Sequence, residues 1–199
     1  MDSIMHCWKS GVAEVAVIRT RLLLLLFCGF FALSAQAANI SYKAVAIGEE
    51  DDWIVLDLLQ HYVLSDTMLE ALENGVPLTF VTEIVIDPED AAFWRSALAR
   101  RVVRRQLSFH PLAGEYEVLD LGAGTRRRFA TRDAALLALG DLKGERIIRS
   151  SALDKGRFYR VSIQTFNDIG ELPLPLRPKA YLSPGWHLSS KVYEWRLQP

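Results

Sequence analysis

Cysteine is nearly absent: the 199 residues hold two, Cys7 and Cys28, and none beyond position 28. Disulfides, thiolate catalysis and cysteine-held zinc are therefore excluded for the rest of the chain. Histidine is almost as scarce. After position 40 only His61, His110 and His187 remain, at spacings that form no short metal-ligand motif, so no metal site is expected. Neither Gly-x-Ser-x-Gly nor Ser-x-x-Lys occurs, which leaves catalysis without a named residue. The formal net charge is −1, too small to argue for nucleic acid or an anionic membrane surface as a partner. There is also no apolar run of the roughly 20 residues that a membrane-spanning helix needs.

What the chain does have near its start is an export signal. Arg19 and Arg21 precede an apolar run of twelve residues, 22–33, and Ser34-Ala35-Gln36-Ala37 supplies the small-x-small pattern of signal-peptidase cleavage. Cleavage is expected between Ala37 and Ala38, giving a signal peptide 1–37 and one domain, 38–199, placed in the periplasm or otherwise outside the cytoplasm. Retention of the segment as an inner-membrane anchor is the alternative, and the only route to the membrane that the sequence offers. Both cysteines leave with the presequence. Three basic and two acidic residues leave as well, which puts the remainder at −2. That remainder is long enough for a single domain with a real core and short for two.

Most of the chain after residue 38 alternates with period two, the pattern of half-buried strands. Strands are expected over 53–63, 76–86, 102–109, 116–121, 146–150, 158–166 and 192–197. In 76–86, Val76, Leu78, Phe80, Ile84 and Ile86 share one face, with Thr79, Glu83 and Asp87 on the other. Tyr159, Val161 and Ile163, and likewise Tyr193, Trp195 and Leu197, are expected to face inward. His110-Pro111-Leu112-Ala113-Gly114 reads as a hairpin loop. Helix is sparse. Ser65 or Asp66 can cap a short helix that Asn74-Gly75 ends, and a second runs from Thr131 to Gly140. A helical turn is expected after Asp87-Pro88-Glu89, before the next strand. The fold class is therefore mainly β, an antiparallel sandwich or strongly bent sheet with two short helices.

Three motifs suggest chemistry. Val118-Leu119-Asp120-Leu121-Gly122-Ala123-Gly124-Thr125 matches half of a methyltransferase nucleotide loop, but Arg126-Arg127-Arg128 stands where a helix should begin, so a strand entering a hairpin turn is the reading. No cofactor is expected. Trp53, Trp94, Trp186 and Trp195 could form a sugar-stacking platform but are expected in the core and at its rim. Leu172-Pro173-Leu174-Pro175-Leu176-Arg177-Pro178 lacks the donors of a central strand and is expected as an extended rope. The densest basic stretch holds Arg95, Arg100, Arg101, Arg104 and Arg105. Arg126–Arg128 lie near it if the strands pair around the His110 hairpin, and 49–52 is the matching acidic run. Solvated faces are one reading. An anion or protein docking patch at Arg100, Arg101, Arg104 and Arg105 is the other, because guanidinium forks bind carboxylate and phosphate at two points.

The stretches LSDTMLEALENGVPL (64–78), LSFHPL (107–112), LPLPLR (172–177) and WHLSS (186–190) resemble, in order, the proteobacterial domain-of-unknown-function family 4390. The resemblance spans nearly all of 38–199. It implies an exported, uncharacterised protein with no catalytic residues to carry over. It also implies a setting beside a nitrogen-type membrane sensor kinase and hence a part in envelope signalling. The expected function is a non-enzymatic binding or interaction module of the cell envelope that modulates a membrane sensor. A carrier of an apolar or lipid ligand held between the sheets, and an enzyme with a site assembled from distant residues, remain alternatives.

Overall fold

A computed structural model describes residues 38–90 and 97–199. The presequence, with Ala35 and Ala37 of the cleavage motif, and Trp94 and Arg95 lie outside the described residues. Among the described residues, nine strands and three helices follow Ala38. In chain order they are β1 (Asn39–Glu50), β2 (Trp53–Val63), α1 (Asp66–Glu73), β3 (Leu78–Pro88), β4 (Ala99–His110), β5 (Glu115–Asp120), β6 (Arg126–Phe129), α2 (Arg132–Gly140), β7 (Asp141–Arg149), β8 (Tyr159–Asn167), α3 (Arg177–Leu182) and β9 (Tyr193–Leu197).

All strand pairs are antiparallel and form two sheets. One has three strands, ordered β1-β2-β7, and the other six, ordered β6-β5-β4-β3-β8-β9. Alternation decides which residues fill the space between them. Ile54, Leu56, Leu58 and Leu142 of the small sheet pack against Ile84, Ile86, Val103, Tyr159, Val161 and Ile163 of the large one. Towards one end a second cluster adds Ile40, Tyr62 and Leu64 to Leu78, Phe80, Leu107 and Val118, together with Met68 and Leu72 of α1 and Ala135 and Leu139 of α2. Where the clusters meet, a chain of polar groups crosses the sandwich. Tyr62 donates to Gln60 Oε1 (2.9 Å), Gln60 Nε2 donates to Thr165 Oγ1 (2.5 Å), and Thr165 and Thr82 share a hydroxyl bond (2.9 Å). A buried polar group left unpaired would cost about 1–3 kcal/mol, so these bonds keep the layer from destabilising the core. Burial raises the Tyr62 hydroxyl well above its ordinary value, and it stays a neutral donor.

The helix ends agree with the sequence. Ser65 accepts from Met68 N (3.2 Å) and Thr131 from Ala134 N (3.3 Å), each as an N-cap. Gly75 takes φ 79° after α1, a conformation in which a side chain is strained.

Several expectations need correction. The helices number three, because the proline-rich segment forms a turn and then α3 in place of a rope. Pro178 sits at its start, where the absent N–H would have had no partner anyway. Asp87 and Pro88 belong to β3, and the helical turn expected after Glu89 falls on 91–96, outside the described residues. β1 and β6 were not expected. Thr79 and Val81 on the second face of β3 are buried as well as Leu78 and Phe80, since β3 is central in the large sheet. Trp186 is core, but Trp195 is not. Its neighbours Tyr193 and Leu197 pack on the core, whereas Trp195 is 42% exposed on β9, the edge strand, where no further strand closes over the indole.

Candidate functional site

The arginine-rich strand β4 supplies the site, and its pleat divides the expected patch in two. Successive side chains on a strand point to opposite faces. Val103 and Leu107 are buried between the sheets, so Arg101 and Arg105 share their side, while Arg100, Arg104, Gln106 and Ser108 point away. The single patch of Arg100, Arg101, Arg104 and Arg105 read from the sequence is thus two rows.

The inner row ties the sheets together. Arg101 pairs with Glu145 of β7 in the other sheet. Arg105 is mostly buried; its Nη1 donates to Leu139 O (3.1 Å) and Asp141 O (2.8 Å), and its Nε faces Asp120 Oδ2 (3.4 Å). The carbonyls explain why. α2 runs directly into β7, with Asp141 extended at φ −89° and no left-handed glycine to cap it, so its last carbonyls need donors from elsewhere. Arg105 supplies one and Arg127 Nη2 another, to Ala138 O at 2.9 Å. Cations at a helix C-terminus are also favoured by its dipole. Arg105, Arg127, Asp120, Thr125, Asp141 and Lys143 line a cleft of about 250 Å³ beside this junction. Arg127 reaches it because β4 pairs with β5 and β5 with β6, which sets Val118 between Leu107 and Arg127. Its three cations face two carboxylates and the carbonyl end of a helix, and their donors are largely engaged. The cleft reads as a structural junction.

The outer row belongs to an open face. Across the large sheet it presents Arg126 and Arg128 on β6, Glu117 on β5, Arg100, Arg104 and Gln106 on β4, Glu83 on β3, Gln164 on β8 and Arg196 on β9, as the registers place them. Most of these charges are paired within the face. Arg100 Nη2 lies 2.7 Å from Glu83 Oε1, and the nearly buried Glu117 carboxylate receives Arg126 at 3.3 Å and Arg128 at 3.2 Å, with His110 Nε2 at 3.7 Å. Arg104 is different, as is the exposed Arg160 of β8 on the same face. Exposed beside Val81, the Arg104 guanidinium has no hydrogen-bond or ion-pair partner among the described residues. β4 therefore carries one unspent guanidinium fork near the middle of a six-stranded face.

The other expected positions fall outside this site. The Gly122–Gly124 loop is a β5–β6 hairpin in which Asp120 Oδ1 accepts from Gly122 N (3.0 Å) and Ala123 N (2.9 Å). No group of three or more His, Cys, Asp or Glu able to hold a metal occurs among the described residues. Among the described residues no helix is long and apolar enough to cross a membrane. The role of Arg127, and the assignment of Arg105 to the interior, were missed in the sequence. Counting parity from Leu107 back to Arg105 would have found the second.

Comparison with known proteins gives one match. The sequence model of a family described as a domain of unknown function, DUF4390, covers residues 37–196. No curated protein matches, and no solved structure does.

Proposed function

The chain belongs to the DUF4390 family, and from that premise we propose that it is a non-enzymatic interaction module of the cell envelope, working outside the cytoplasm after export. It meets a protein partner through the outer face of the six-stranded sheet. The observation that carries this reading is Arg104, an exposed and unpaired guanidinium beside the Arg100–Glu83 pair on a face that also carries Val85, Val102 and Leu119. Clustered surface charge adds little to folding but steers encounter and selects partners. A carboxylate-bearing surface suits the Arg104 fork, and an envelope sensor such as a membrane kinase is the partner that the sequence resemblance suggests.

The carrier reading has less support, because the interior is occupied. The space at the polar layer between the sheets, bounded by Gln60, Tyr62, Phe80, Thr82 and Arg105, amounts to about 10 Å³, at most one water and no acyl chain. The test is in vivo crosslinking of the double variant Arg100→Gln, Arg104→Gln. It should remain folded and lose most of its crosslinked partner, the more so at low salt. Equal yield from the variant and the wild type would overturn the proposal.

A further inference from the structure

Among the described residues, Trp195 is the one exposed large apolar side chain that lies within a strand. It stands opposite the fully buried Val161, which puts it on the inner face with Tyr193 and Leu197. β9 pairs with β8 on one side, and on the other its backbone has no partner among the described residues. Sheet edges left in this state are templates for a further strand, and proteins blunt them with short length, bulges or charge. The remaining edges differ from β9 in this respect. β6 has four residues, three of them arginine, β7 is bulged and charged along its length, and β1 exposes alanine and glycine between 44 and 48. On β9 the charges lie on the outer face, and an indole is left at the rim of the core.

We propose that β9 pairs with β9 of a second copy of this chain, antiparallel about a twofold axis at Trp195, so that two six-stranded sheets continue as one of twelve strands. What selects a second copy is the strand's own chemistry read in both directions. Residues directly opposite in an antiparallel pair share a face, and a twofold contact sets each residue against the one equally far from the axis. Centred on Trp195, the inner face brings Tyr193 to Leu197 of the second copy and Trp195 to Trp195, all apolar. The outer face brings Glu194 to Arg196 of the second copy, twice over. Glu194 has no hydrogen-bond or ion-pair partner among the described residues. Arg196 is already positioned: its Nε and Nη2 face Glu89 Oε2 at 3.0 and 2.8 Å, and its guanidinium stacks 3.8 Å from the centre of the Phe158 ring, which leaves Nη1 for a second carboxylate. The exposed Arg160 stands beside it and adds to the attraction. A slip of one residue would turn one copy's inner face outward, so the register is fixed. Five residues a side is fewer than the roughly 20–30 of a standard interface, and the dimer is accordingly reversible. It goes beyond the docking at the outer sheet face and does not depend on it.

The test uses the full chain as cells export it, in a Cys7→Ser, Cys28→Ala background, with Glu194→Cys in one preparation and Arg196→Cys, differently tagged, in another. A short bimane crosslinker should join the mixed preparations roughly tenfold faster than either alone, because only the mixed pair sets two thiols directly opposite. Trp195→Ser in both should lower that rate roughly tenfold with the fold retained. In sedimentation the wild type should move from monomer to dimer as its concentration rises, and Trp195→Ser should stay a monomer. Equal crosslinking in mixed and unmixed samples would overturn the proposal. So would a wild type that remains monomeric, or a dimer that Trp195→Ser leaves unchanged.

Discussion

Arg105 spends its guanidinium on two backbone carbonyls and a carboxylate, all partly buried, whereas Arg104 spends its own on nothing in the described chain. Removing the first takes a donor from each of these partly buried acceptors, and a buried group left unpaired costs about 1–3 kcal/mol. Arg105→Ala should therefore lose about 2–4 kcal/mol in urea unfolding, while Arg104→Gln should stay within about 0.5 kcal/mol of wild type. Asp52 gives a second residue-scale prediction, through pH. It closes the β1–β2 hairpin at φ 62°, and hydrogen bonds from Ser150 and then Ser151 hold its carboxyl below the ordinary value of 3.8. A lowered carboxyl contributes stability that is complete above the unfolded-state value and disappears as pH falls through the folded-state value. The melting temperatures of wild type and Asp52→Asn should thus differ at pH 7 and converge as pH drops below about 4. A constant gap down to pH 2 would contradict this account of the turn.

At the scale of elements, α2 is held as closely by backbone approach as by its caps. A Cβ built on Gly140 would stand 2.2 Å from the carbonyl oxygen of Gln60, and since that atom is backbone in a central strand it cannot swing aside. Gly140→Ala should cost at least about 3 kcal/mol, the upper range for overpacking, with helix content lost along with stability. The two tryptophans separate core from edge in the same way. Trp186→Ala should cost about 3–5 kcal/mol as a buried aromatic, and Trp195→Ala, on the inner face of the edge strand β9 but 42% exposed, closer to about 1 kcal/mol. Alternation alone cannot tell these apart: Trp195 keeps the period of Tyr193 and Leu197, but an edge strand has a neighbour on one side only. The same physics hid β1 and β6. Ala44, Ala46 and Gly48 give β1 little apolar contrast, and Arg126–Arg128 are charged on both faces of β6. The central strands, with neighbours on both sides, were legible to within about three residues at their ends, as were the caps at Ser65 and Thr131. α3 was misread because proline was weighed as a strand breaker, when at a helix start it is tolerated.

For the whole molecule, the family and the β-rich antiparallel fold could be read from the chain, while the face that each arginine of the basic stretch takes could not. Four arginines within six positions, Arg100 to Arg105, mark β4 as unusual, but charge density in a sequence does not say which face each side chain takes. The pairing of β4 between β3 and β5, and the return of α2 into β7, decide that Arg101 and Arg105 hold the sheets together and that Arg100 and Arg104 are left for solvent or a partner. Docking of a partner at the open six-stranded face, as proposed, rests on the exposed Arg104 that this arrangement leaves there, unpaired among the described residues. The measurement that tests this most directly is site-specific photocrosslinking in cells, with the crosslinker placed at Gln106 on that face and, separately, at Ala46 on the three-stranded sheet. The outer-face position should capture an envelope protein, and the Arg100→Gln, Arg104→Gln pair should abolish the capture. Equal capture from both positions, or capture from Ala46 alone, would contradict the assignment of the docking face.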